Sequence, residues 1–140
     1  MRRSSMTLFS DPTCQFSHRV RIVLAEKGVT VDIENIETES VTDEILEANP
    51  YGTLPTLVDR DLALYKSTVI MEYLDERFPH PPLLPVYPVS RAESRLWIYR
   101  IERDWCSLVP KIEIQESQDA RQELRAVSYT HLRAHETDRY

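Results

Sequence analysis

The stretch Thr53-Leu54-Pro55-Thr56-Leu57-Val58-Asp59 places a proline directly before a β-branched, apolar run. Proline has no N–H to give to a sheet ladder, so this one marks a strand start or an edge. An X–Pro bond is also the one peptide bond at which the cis form costs only about 0.5–1 kcal/mol. Two geometries are therefore open. A trans proline simply opens a strand. A cis proline turns the chain sharply and leaves the N–H and C=O of Leu54 to pair with the backbone of an extended peptide. In the second case Leu54 and Pro55 floor a peptide-binding cleft.

The neighbouring elements bear on that choice. Thr7-Leu8-Phe9-Ser10 is a short buried-strand pattern closed by Asp11-Pro12. A helix follows from near Cys14, with Phe16, Val20, Val23, Leu24 and Lys27 on one face and Arg19, Arg21 and Glu26 on the other. Gly28 suits its C-terminal end. Val31 to Ile36 alternates with period two, as a half-buried strand does. Thr42 precedes a short helix carrying Ile45, Leu46 and Ala48, which stops at Asn49-Pro50. Beyond Pro55, two apolar runs joined by Asp59-Arg60-Asp61 predict an antiparallel hairpin. Ser67 then caps a helix with Val69, Ile70, Tyr73 and Leu74 inward and Glu72, Asp75 and Arg77 outward. The order β-α-β-α-β-β-α joins a parallel βαβ unit to a hairpin and a helix. This is an α/β, thioredoxin-like domain over residues 6–78, and that topology favours a cis Pro55 facing the first helix N-terminus.

Residues 79–88 hold five of the nine prolines, a density that admits no helix and predicts a stiff, extended linker. Ser90 and Glu93 are spaced as a capping box. Trp97, Ile101, Trp105, Leu108 and Ile112 then form one apolar stripe on a long helix, which Pro110 should kink or end. Residues 89–126 read as the start of an all-α domain, and such a stripe needs cover, either from another chain or from the remainder of that domain. Residues 127–140 lack a continuing stripe and read as a non-native appendage. His131 and His135 in that tail are four apart, yet no third ligand accompanies them, so no metal is expected.

Composition narrows the function classes. A net charge of −6 argues against direct nucleic-acid binding, which needs a basic face. No apolar run approaches the ~20 residues that cross a bilayer. With two cysteines in 140 residues and no apolar leader, the expected compartment is the cytoplasm. Only two glycines occur, and glycine-rich phosphate loops are absent.

Taken in order, Leu8-Phe9-Ser10, Val20 to Gly28, Asn49-Pro50-Tyr51-Gly52, Leu54 to Asp59 and Ser67 to Leu74 resemble the glutathione-transferase superfamily over about Thr7 to Arg125. Ser17 to Gly28 and the long run Met71 to Pro88 are more similar to its stringent starvation protein A family. That resemblance implies a dimeric, RNA-polymerase-associated regulator of transcription under starvation and stress. It implies contact through Pro79, His80, Pro81 and Pro82, no cofactor, and no catalysis. An acidic surface also suits a protein partner better than DNA.

The competing reading is a glutathione-dependent transferase or thiol transferase built on Cys14. Cys14-Gln15-Phe16-Ser17 is spaced as a monothiol site at a helix N-terminus, where the dipole favours a thiolate. Its cleft would comprise Ser10, Cys14, Leu54, Pro55, Lys66 and Ser67, with Ser67 holding a carboxylate. Lys66 opposes this reading, because the resemblance implies an acid at that position in members that bind glutathione.

Overall fold

The computed structural model describes residues 5–113, 119 and 121–128. The chain divides into two compact units, Met1–Leu83 and Leu84–Tyr140. In the first, the elements run β1 (Met6–Ser10), α1 (Gln15–Lys27), β2 (Asp32–Asn35), α2 (Asp43–Ala48), β3 (Thr56–Asp59), β4 (Leu62–Tyr65) and α3 (Ser67–Arg77). A single 3-10 turn, Thr38–Ser40, precedes α2. The strands form one mixed sheet in the order β2-β1-β3-β4, parallel between β1 and β2 and antiparallel elsewhere. This is the expected thioredoxin-like arrangement.

The core of this unit is Met6, Leu8, Val20, Leu24, Leu57, Ile70 and Leu74, all buried. Leu8 stands directly opposite Leu57 across the β1–β3 ladder, so two central strands feed one layer. α1 ends where Gly28 takes a φ of 64°, and its N–H reaches the carbonyls of Leu24 and Ala25. Only glycine adopts that left-handed cap without steric cost.

Several expected faces differ. All four residues of β2, one of the two edge strands, are exposed, including Ile33. On α3 the buried residues are Ser67, Ile70, Leu74 and Asp75, while Val69 is exposed. Asp75, expected to face outward, is thus inside. The N-cap residue of α3 is Lys66, and Ser67 is already helical.

In the second unit α4 spans Pro88–Ile101, with Tyr87 at its N-cap position. The first intrahelical bond runs from the Arg91 N–H to the Tyr87 carbonyl, at 2.8 Å. The Ser90–Glu93 spacing therefore lies within the helix instead of opening it. Proline in the first turn has φ already set for a helix and lacks only an N–H that has no partner there. A π-type turn over Glu102–Cys106 interrupts the apolar stripe before Pro110 is reached. Pro110 then sits in the first turn of α5 (Val109–Glu113) instead of ending a helix. Leu108 is buried, and Trp97, Ile101, Trp105 and Ile112 are half-buried. Residues 121–128 are helical, and the expected boundary at 127 falls inside that stretch. His131 and His135 lie outside the described residues. No helix among the described residues is long and apolar enough to cross a membrane.

Candidate functional site

Strand register assembles the first candidate site. Phe9 pairs with Thr56, and Thr56 pairs with Tyr65. One step further along both ladders sets Ser10, Pro55 and Lys66 in a row at the same end of the sheet. The Leu54–Pro55 bond is cis, with Pro55 buried and Leu54 half-buried. The sheet therefore brings together Ser10, Leu54, Pro55, Lys66 and Ser67 from three separate strand ends. Cys14 joins from α1: it is the N-cap residue, its N–H reaches the Asp11 carbonyl at 3.3 Å, and its carbonyl accepts from the His18 N–H at 3.0 Å. The cysteine is free and half-buried.

Two arginines reshape this end of the sheet. The Arg19 Nε donates to the Ser67 Oγ at 3.0 Å, and its guanidinium also reaches the Thr68 Oγ1 at 3.2 Å. Arg21 donates to the Ser10 Oγ and to the Asp11 carbonyl, the latter at 3.0 Å. Helical spacing predicts both on the outer face of α1. They instead place guanidinium groups on the two serine hydroxyls of the row. With Lys66 exposed at the start of α3, the side chains on this end are predominantly cationic. Lys66 also has a positive φ of 68°, an uncommon conformation for a residue with a Cβ.

The turn leading into Pro55 is fixed by Asn49, which the sequence marks only as the helix stop before Pro50 and as part of the family-like run to Gly52. Its Nδ2 donates to the Thr53 carbonyl at 3.0 Å and to the hydroxyls of Thr53 and Thr56 at 2.9 and 3.2 Å. Its Oδ1 accepts from the Tyr51 N–H at 3.0 Å. An asparagine before Pro50, followed by threonines at 53 and 56, was the available signal.

The second candidate site is the turn after α3. Pro79, His80, Pro81 and Pro82 are all exposed, and the His80–Pro81 bond is cis. This part of the proline-rich stretch is tied to the first unit. The Lys27 Nζ donates to the Asp75 Oδ1 at 2.7 Å and to the Pro81 carbonyl at 2.6 Å. The same Asp75 oxygen accepts from the Leu83 N–H at 2.8 Å. The Lys27 side chain has no exposed area and that of Asp75 has 7%. Residues 79–83 are thus a held turn, not a free linker, and the charge that holds them is buried.

Comparison with known proteins places these features. The family model described as glutathione S-transferase, N-terminal domain, matches residues 8–82. A stringent starvation protein A homolog from Coxiella burnetii is 63% identical over 113 residues, covering 81% of this chain and 54% of that relative. Its counterpart from Pasteurella multocida is 58% identical over 132 residues, covering 94% of this chain and 60% of the relative. The chain therefore spans between half and two thirds of the length of these relatives. Among solved structures, glutathione transferase Omega 3C from Trametes versicolor matches with a TM-score of 0.81 at 25% identity, over 95% of this chain and 61% of that one.

Proposed function

This chain belongs to the glutathione S-transferase family, and from that premise we propose that it serves as a regulator of transcription instead of a transferase. The protein associates with RNA polymerase holoenzyme in the cytoplasm during starvation and stress. It acts by protein–protein contact through Pro79, His80, Pro81 and Pro82, and the full-length form is a homodimer. The observation that carries this reading is the pairing of high identity to stringent starvation protein A homologs with an exposed, held Pro-His-Pro turn. A prefixed turn loses little conformational entropy on docking, which favours recognition.

The composition of the cleft supports the same direction. The Ser67 hydroxyl is engaged by Arg19, and Lys66 stands where the family resemblance implies an acid in members that bind glutathione. A pull-down with purified RNA polymerase holoenzyme tests the proposal. Retention should fall about tenfold or more when Pro79, His80 and Pro81 are all changed to alanine, the scale expected for loss of an interface hot spot. Unchanged retention overturns it.

One observation favours a second reading. Cys14 is half-buried at the N-cap of a 13-residue helix, four residues past the strand end that carries Ser10. Thiol-transferase turnover with glutathione that disappears in Cys14→Ser would establish catalysis in place of contact.

A further inference from the structure

We propose that Lys27 and Asp75 are positioning residues for the Pro79–Leu83 turn: a buried ion pair that sets the shape of the turn from beneath, without reaching the surface used for contact. The inference rests on the reading of this turn as the contact surface and deepens it.

Lys27 is the last residue of α1, and Asp75 lies two residues before the end of α3. The pair therefore joins the C-terminal ends of the two helices. Lysine at a helix C-terminus also meets the favourable end of the helix dipole. A lysine with no exposed side-chain area needs its charge matched, and Asp75 matches it at 2.7 Å. An ion pair alone does not use all the capacity of either group, since the ammonium has three donors and the carboxylate several acceptor positions. Part of the remaining capacity is directed at the turn. The Nζ takes the Pro81 carbonyl, and the Oδ1 takes the Leu83 N–H. These two backbone groups bracket Pro82, so the turn is held on both sides of it. Charge-assisted hydrogen bonds are the stronger kind. His80, one residue before the held carbonyl, is left exposed. A sequence with glycine-free, proline-rich flanks is stiff within the turn, and these contacts fix it to the domain.

Hydrogen exchange by NMR on the whole chain, together with retention on purified RNA polymerase holoenzyme, tests this. The double variant Lys27→Met, Asp75→Leu removes both charges together, so no unpaired ion is left buried. The Leu83 amide should exchange about tenfold faster or more, as loss of a charge-assisted bond implies. The core amides of Leu8 and Leu57 should keep their protection, and retention on the polymerase should fall about tenfold. His80→Ala should lower retention while leaving Leu83 protected.

Leu83 exchange that is unchanged, or that rises only in step with the core amides, overturns the proposal. So does a released turn with full retention, if His80→Ala loses it. Full retention in the double variant and His80→Ala alike would instead overturn the contact reading, and the clamp would stand or fall on Leu83 exchange alone. If the double variant does not fold, Lys27→Gln with Asp75→Asn replaces it. That pair also leaves no ion buried, keeps polar groups at both positions, and should give the same selective loss at Leu83, smaller in size. Equal loss at Leu83 and in the core overturns the clamp.

Discussion

Asn49 has no exposed surface, and four of its hydrogen bonds converge on the turn that delivers Pro55 to the sheet. Replacing it with alanine strands the Tyr51 N–H and leaves the Thr53 and Thr56 oxygens without this donor. A buried polar group left without its partner costs about 1–3 kcal/mol. We therefore expect Asn49→Ala to lower the midpoint of urea unfolding by an amount in that range at unchanged slope, and a midpoint equal to the parent's would refute the role assigned to this network. The residues of this kind were the least legible in the sequence. Arg19 reaches Ser67, and Lys27 reaches Asp75, each across 48 positions of chain. Helical spacing states which residues share a face, not what meets that face. Periodicity placed Lys27 correctly on the inner side of α1 and Asp75 wrongly on the outside of α3. A charged residue is read as solvated unless its partner is known, and that partner is supplied only by the fold.

At the scale of elements, the order of strands and helices in the first unit was legible, because each is marked by local chemistry, whereas the π-type turn and α5 of the second unit were not. Proline stops, the Gly28 cap and the alternation from Val31 act within a few residues. Which strand is covered depends on its place in the sheet, and so the exposure of β2 was not legible. The join between β3 and α3 depends on a pair that local patterns also miss. The Tyr73 hydroxyl donates to the Asp59 Oδ2, which fastens the middle of α3 to the end of β3. That bond, with burial and the Asp59 charge adding to it, raises the phenolic pKa above the ordinary 10.0. The folded chain therefore holds this proton more tightly than the unfolded chain does. Stability from the bond is complete below the ordinary tyrosine range and is lost as pH rises through the higher folded value. Tyrosinate absorbance should show one phenol ionising later than the others, absent in Tyr73→Phe. The variant should also show a flatter loss of stability on the alkaline side. A parent and variant with superimposable alkaline profiles would remove this pair from the account.

At the scale of the whole molecule, burial is unevenly shared. The contiguous apolar core lies entirely within Met1–Leu83. In the second unit, Leu108 is the one hydrophobic residue counted as buried among those described, while Val89, Leu96 and Tyr99 on α4 are exposed. Each fully buried large apolar side chain stabilises its unit by about 1.5–3 kcal/mol, so the second unit has far less to resist unfolding. Both tryptophans of the chain, Trp97 and Trp105, belong to it. Tryptophan fluorescence therefore reports the second unit alone, whereas the amide protection of Leu8 and Leu57 reports the first. Local regions open with free energies set by their own buried contacts. In a urea titration the fluorescence transition should come first, with the amides of Leu8 and Leu57 still protected past its midpoint. Circular dichroism in the helical band should then fall in two steps instead of one. Coincident transitions by all three probes would mean that the two units unfold as a single cooperative block, and the weak burial around α4 would no longer describe how the chain comes apart.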